Sequence, residues 1–280
     1  MIDNYLQGPY IYVFISIITI CVLFYLRYYL KNAKKEQYIV IGNGQTVGKR
    51  DEQEDNFSTV ENEKGVLAVL ADGMGGYTNG RISSSIAVNT FVEDFSSAYS
   101  IYPIEDFFRN AARISNRAIL DRSKGLRSGT TLVSVIITEG MLYWASIGDS
   151  AIALFRNGEF INLNKKHIFE SELEQQYISG KISEAQMLNN PMKKRITSYL
   201  GAEVLKDIEM CEKPIRLTAG DKVILCSDGV YNSVTELEME NILMERIKPF
   251  DAAEEIIEMI RAKNFPKQDN ATIIIIEVCH

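Results

Sequence analysis

Four aspartates, Asp55, Asp72, Asp228 and Asp269, stand where an apolar run meets a loop, and Asp149 is a candidate fifth. Asp72 follows the run from Gly65 to Ala71 and precedes Gly73, while Asp228 follows Lys222 to Cys226 and precedes Gly229. A buried, unpaired carboxylate is costly and persists only if it is paired, hydrogen-bonded or bound to metal. Taken singly, each Asp-Gly reads as a strand ending in a tight turn. Taken together, a shared cation site explains them better, because carboxylates held close repel one another unless a divalent ion offsets their charge. Oxygen ligands without imidazole or thiolate select magnesium or manganese over zinc. A pair of such ions suits hydrolysis of a phosphate ester: a water bridging them becomes a usable nucleophile, and both ions stabilise the attacking and phosphoryl oxygens. Arg50 supplies a planar cation for the phosphate just ahead of the acidic run Asp51 to Asp55, a run that alone would be a solvated turn.

Composition narrows the alternatives. The 280 residues carry 46% hydrophobic and 24% charged side chains, as an ordinary globular protein does. A net charge of -7 argues against nucleic acid as a partner, since that affinity rests on clustered Lys and Arg. The cysteines, Cys21, Cys211, Cys226 and Cys279, have no paired spacing, which suggests reduced thiols and no zinc knuckle. With only His167 and His280 present, histidine constellations for zinc or a nucleophilic triad are absent, and His167 reads as a capping or packing residue.

The elements that must position the acids follow from periodicity. Tyr10 to Leu26 is almost purely apolar and aromatic, and with Arg27 snorkelling it extends to Leu30 as a transmembrane helix. Arg27, Lys31, Lys34 and Lys35 follow it, which places the C-terminal bulk in the cytoplasm. A strand is expected at Tyr38–Ile41, then a loop from Gly42 to Arg50 that lacks the residues of a nucleotide-binding P-loop. Helical patterns occupy Ile82 to Phe95 and a second stretch opened by Pro103, with Ile104, Phe107, Phe108, Ala111, Ile114 and Ala118 on one face. Antiparallel strands follow from about Thr130 to Leu163, with hairpin turns at Glu139-Gly140 and Asn157-Gly158. A polar, mostly helical insertion spans about Asn164 to Cys211. Two more helices come after the strand at Lys222–Cys226, the second starting at Asp251 with a capping box to Glu254. The last strand begins after Asp269, so antiparallel neighbours could bring Asp269 and Asp228 to one rim.

In this order, Arg50 with Glu54-Asp55, Ala71-Asp72-Gly73-Met74-Gly75-Gly76, Ser128-Gly129-Thr130-Thr131, Gly148-Asp149-Ser150, Ser227-Asp228-Gly229 and Asp269-Asn270 resemble the metal-dependent protein phosphatase family, also called protein phosphatase 2C, in its bacterial form. The resemblance covers about residues 42 to 278. It implies an α+β fold, a central sandwich of two antiparallel sheets flanked by helices in α-β-β-α layers, to which this chain adds an N-terminal transmembrane helix. It implies a serine/threonine protein phosphatase using two magnesium or manganese ions, with a weaker third site. Asp72 would bridge the two metals and the Gly73 carbonyl would ligate one; Asp228 and Asp269 would complete the other shell. Asp55 and Glu54 would hold metal-bound waters, Arg50 the phosphate, and Asp149 with Asp228 the third ion. Met74 stands where many eukaryotic members carry a catalytic His, which leaves a metal-bound water to protonate the leaving serine oxygen. Ala151 replaces the Arg common after Gly-Asp-Ser. The expected organisation is an extracytoplasmic segment at 1–9, the membrane helix at 10–30, a charged linker at 31–37 and a phosphatase domain at 38–280, with 164–211 as a flap-like insertion. Substrates would be phosphorylated products of a Ser/Thr kinase. The competing reading is an inactive, phosphatase-like scaffold at the membrane, which would have no physical need for a full set of carboxylates.

Overall fold

The computed structural model describes residues 7–32, 38–75, 79–123, 128–206 and 208–279, with side chains in the first stretch described from Tyr12 to Tyr25 and at Arg27. Gly76, Lys34 and Lys35, most of the expected linker and the start of the expected extracytoplasmic segment lie outside the described residues. Among the described residues of one unit of the chain lies the long helix α1 (Gln7–Asn32). Among the described residues no helix is long and apolar enough to cross a membrane; the described run from Tyr12 to Tyr25 falls short of the roughly 20 residues a bilayer takes, and the expected span at 10–30 is therefore not shown.

The second unit, Ile39–Cys279, holds the remaining described elements, β1 apart from its first residue, Tyr38. In chain order it comprises β1 (Tyr38–Thr46), β2 (Asn56–Asn62), β3 (Gly65–Ala71), β4 (Gly73–Met74), α2 (Asn79–Ser97), α3 (Ile104–Ser123), β5 (Gly129–Thr130), β6 (Leu132–Thr138), β7 (Met141–Ile147), β8 (Ala151–Arg156) and β9 (Glu159–Asn162). Then come α4 (Phe169–Ile178), α5 (Glu184–Leu188), β10 (Glu209–Met210), β11 (Ile215–Arg216), β12 (Lys222–Cys226), α6 (Asp228–Tyr231), α7 (Glu236–Met244), α8 (Pro249–Lys263) and β13 (Ala271–Cys279).

Two sheets form the centre. One has the order β1-β13-β12-β8-β9, the other β10-β7-β6-β3-β2 with β11 also on β7. The inner strands are apolar at nearly every position because both their faces are covered. In β3, Val66, Ala68 and Leu70 pack across to Val223, Leu225 and Ile274 of the other sheet. The alternate residues Leu67, Val69 and Ala71 pack with Phe91, Phe95 and Phe108 of α2 and α3. In β13, Ile274 and Ile276 join the intersheet layer, while Ile273 and Ile275 meet Ile242, Ile256 and Ile257 of α7 and α8. These are the expected α-β-β-α layers. The hairpins also form as expected, with Glu139, Gly140, Asn157 and Gly158 all at positive φ.

Elsewhere the fold departs from its sequence pattern. β1 runs on to Thr46, through most of the expected loop: Gly42 and Gly44 are there because a Cβ at either would strike the backbone of α8. The strand β2, with its polar sequence, had no apolar signature. Helix α8 begins at Pro249, so Asp251 lies inside its first turn and makes no capping box; the cap residue is Lys248. Capping boxes do form at Ser183 with Gln186 and at Thr235 with Glu238. On α3 the buried stripe runs through Ser115 and Ile119, leaving Ile114 exposed. Among the described residues, the segment from Asn164 to Cys211 holds the short helices α4 and α5, joined by turns, and the strand β10, with Leu173 the one buried side chain on either helix.

Candidate active site

Register gathers the acids. In the first sheet Cys226 faces Ile273 on one side and Ala151 on the other. Asp228 just past β12, Asp269 just before β13 and Asp149 just before β8 therefore leave that sheet at a common edge. In the second sheet Asn56 faces Ala71, which sets Asp55 beside Asp72. Each sheet thus delivers carboxylates to one end of the sandwich.

Local backbone contacts explain the glycines behind two of these acids. A Cβ on Gly73 would strike the Gly80 carbonyl at the start of α2, and one on Gly229 would strike the Asn270 carbonyl. Asp72 is fixed through its backbone: its N–H donates to Thr131 Oγ1 at 3.0 Å, and its carbonyl accepts from Thr131 N at 2.9 Å and Thr130 Oγ1 at 2.8 Å. Thr131 Oγ1 in turn shares a 2.8 Å hydrogen bond with Ser150 Oγ, next to Asp149. The Ser-Gly-Thr-Thr motif is therefore a cradle for the Asp72 backbone.

Asp55 is held through its side chain. Its Oδ2 accepts from Thr272 Oγ1 at 2.7 Å and Ser227 Oγ at 2.8 Å. Asn270 clamps the loop carrying Arg50: its Oδ1 accepts from Glu54 N at 2.8 Å, and its Nδ2 donates to the carbonyls of Val47 and Glu52 at 2.9 and 3.0 Å. Arg50 Nη2 donates to Asp269 Oδ2 at 2.6 Å, across a pair that is open to solvent. His167 does serve as a packing residue. Its Nδ1 accepts from the Gly148 amide at 3.2 Å, and its own N–H donates to the Gly148 carbonyl at 2.8 Å.

The acids feel one another. Burial, then the charges of Asp55, Asp228, Asp149 and Asp269, hold the Asp72 carboxyl well above the usual range. Burial pushes Asp55 up to about 6, with Asp269 adding to it and the Thr272 and Ser227 hydroxyls opposing. Asp228 rises to about 7, first by burial and then by Asp149, Asp269 and Asp55. Burial also raises Asp149, where Lys166 opposes it, and Glu54, where Arg50 does.

Among the described residues, no three carboxylate, imidazole or thiolate groups form a ready-made metal cage. Two observations nonetheless fit this oxygen set to a hard divalent ion. Asp55 Oδ1 and Glu54 Oε1 are buried without any hydrogen-bond partner, and each leaves acceptor capacity that a cation would satisfy. The mutual repulsion that raises Asp72 and Asp228 is the kind that a divalent charge relieves.

The sequence pattern of protein phosphatase 2C matches residues 47–264. The chain belongs to the protein phosphatase 2C family. A similar curated protein is the serine/threonine phosphatase stp of Listeria welshimeri, 30% identical over 236 residues that cover 81% of this chain and 91% of that protein. The solved serine/threonine phosphatase of S. agalactiae superposes with a TM-score of 0.76 at 26% identity, covering 86% of this chain and 100% of its own. The fold is also that of the catalytic domain of the phosphatase PstP in complex with 2 manganese ions, with a TM-score of 0.68 and 24% identity over 87% of this chain and 100% of that one.

Of the residues expected from sequence, the structure brings Asp55, Asp72, Asp149, Asp228 and Asp269 within electrostatic reach of one another. It places Glu54 and Gly73 against each other, the Gly73 amide donating to the Glu54 carbonyl at 3.2 Å. Ser227 is legible only as part of the Ser227-Asp228-Gly229 motif, without a role, and Thr272 and Lys166 were not foreseen. Thr272 lies inside the apolar strand β13 and carries the signature of β propensity only, and Lys166 lies within a charged, unpatterned loop.

Proposed function

We propose that this protein hydrolyses phosphoserine and phosphothreonine in proteins, using two magnesium or manganese ions held by Asp72, the Gly73 carbonyl, Asp228 and Asp269, with Asp55 and Glu54 engaging them through water. The observation that carries the reading is the convergence of carboxylates from both sheets on one rim, with Asp72 raised by burial and then by four others. Bound there, the ions would supply an activated water and charge for the phosphoryl oxygens. The chain's own residues do the rest. Arg50, on a loop clamped by Asn270, presents a planar guanidinium at the rim for the phosphate. Thr131 and Thr130 fix the Asp72 backbone, while Ser227 and Thr272 orient Asp55 and favour its ionised form. Met74, partly exposed, offers no proton. Phosphopeptide hydrolysis by the full chain, with manganese and then with chelator, tests the reading; equal rates would refute it.

We further infer that α1 anchors the protein to a membrane through residues 10–30, with the phosphatase domain in the cytoplasm and the phosphorylated products of a Ser/Thr kinase as its substrates. The support is chemical. Helix α1 spans 26 residues, about 39 Å, against a hydrocarbon core of about 30 Å. Its exposed side chains include Val13, Phe14, Ile15, Leu23 and Phe24. Its serine and threonine hydroxyls are turned onto its own backbone, Ser16 onto the Tyr12 carbonyl and Thr19 onto that of Ile15, as an apolar medium requires. Alkaline carbonate extraction of membranes checks this: release of the protein into the supernatant would refute a span.

A further inference from the structure

The Asp149–Asp228 side of the site has a resident cation. Lys166 lies in the loop between β9 and α4, and that loop is tied to the backbone on both sides of Asp149. Asn164, two residues before Lys166, donates through Nδ2 to the Ser150 carbonyl at 2.9 Å and accepts through Oδ1 from Ile152 N at 2.7 Å. His167, immediately after it, exchanges hydrogen bonds with Gly148 through its backbone N–H and its ring. Lys166 is therefore carried on a frame fixed to Gly148 and Ser150, the neighbours of Asp149.

The direction of its side chain is set as well. Lys166 Nζ sits 3.2 Å from the centroid of the Tyr231 ring. Tyr231 ends the helix that Asp228 begins, and its hydroxyl donates to the Asp149 carbonyl at 3.1 Å. Lys166, Tyr231, Asp149 and Asp228 thus form one constellation: burial lowers Lys166 while both carboxylates oppose that, and the ammonium in turn opposes the burial that raises Asp149. Lys166, Tyr231, Cys226 and Met239 also line a cavity of about 360 Å³.

We propose that the Lys166 ammonium is the built-in counter-cation of the Asp149–Asp228 pair and keeps a further divalent ion from binding there. A single positive charge held over Tyr231, within electrostatic reach of both carboxylates, weakens what would draw a second cation to them and adds direct repulsion. The protein then holds two ions, both on the Asp55, Asp72 and Asp269 side, with Asp228 shared. The inference rests on the two-ion reading above. It departs from the weaker third ion that the resemblance implied.

The test counts manganese bound to the full chain in detergent, by equilibrium dialysis at rising metal concentration. Wild type is expected to saturate at two ions, and Lys166→Met, which keeps the stem over Tyr231 and drops the charge, at three. Removing the charge should tighten the added site by about tenfold or more. Adding Asp149→Asn to Lys166→Met should return the count to two, and Lys166→Arg should leave it at two. Three ions on wild type, or two on a folded Lys166→Met, overturns the inference and leaves the two-ion reading standing. No ions on wild type would take down that reading and this inference together. If Lys166→Met does not fold, the wild-type count still decides.

Discussion

Thr272→Val tests how the site keeps Asp55 charged. The substitution preserves shape at a fully buried position and removes one of the two hydroxyls donating to Asp55 Oδ2. A hydrogen bond to a charged group is worth about 1.5–3 kcal/mol, or about one to two pH units in an ionisation. Asp55, at about 6 in the metal-free protein, should move to between about 7 and 8. Protons compete with metal for this carboxylate, so manganese affinity falls as pH drops through its pKa, and in the variant that fall begins at higher pH. At pH 7 the wild-type group is about nine-tenths ionised, and a group at 7.5 only about a quarter, so affinity should drop about fourfold. Near pH 9 the two proteins should converge. Asp228, at about 7, is raised in part by the Asp55 charge, so the difference between the two curves reports Asp55 together with its pull on Asp228. Calorimetric titration with manganese across this range gives the curves. Superimposable profiles from a folded variant, or a loss equal at every pH, would refute the argument.

The remaining predictions concern stability and substrate binding. Asp55 and Asp228 are both raised above an ordinary carboxyl, so the metal-free protein carries this contribution at low pH and loses it as pH rises through about 6 and 7. Its melting temperature should fall between about pH 5 and about pH 8, and Asp72→Asn should recover part of that loss while abolishing hydrolysis. Asp221, almost fully buried, binds Arg156 through both oxygens at 2.8 and 2.6 Å, so Asp221→Ala should cost about 3–5 kcal/mol in denaturant unfolding. Arg50→Ala should raise KM for phosphopeptide at least about tenfold and leave the melting temperature within a degree or so, because its ion pair with Asp269 is solvent-exposed.

The fold was legible wherever burial imposed a period. Strands such as β3 and β13 are apolar throughout because each is covered on both faces, and the amphipathic stripe of α3 marks its sheet-facing side. The acids were legible because Asp at the end of such a strand has no packing role. What escaped was set by neighbours remote in sequence. Gly42 and Gly44 look like loop residues until α8 is seen crossing them. β2 is a strand because β3 pairs with it along its whole length, from Asn56 opposite Ala71 to Asn62 opposite Gly65, and its own composition says little. Asp251 has the spacing of a capping box, but Pro249 starts the helix earlier. Lys166 lies 17 positions from Asp149 and 65 from Tyr231, the difference of their residue numbers, and no local pattern joins them.

The two sheets meet the solvent at one end with their acids facing, and ions held there would fasten one half of the sandwich to the other. Binding confined to the folded state adds stability that grows with the logarithm of metal concentration. Metal supply would then govern how long each molecule survives as well as how fast it works. A starved cell would hold a shrinking pool of phosphatase, cleared by proteolysis through more frequent opening, and refilling the metal would restore the rate only of those molecules still intact.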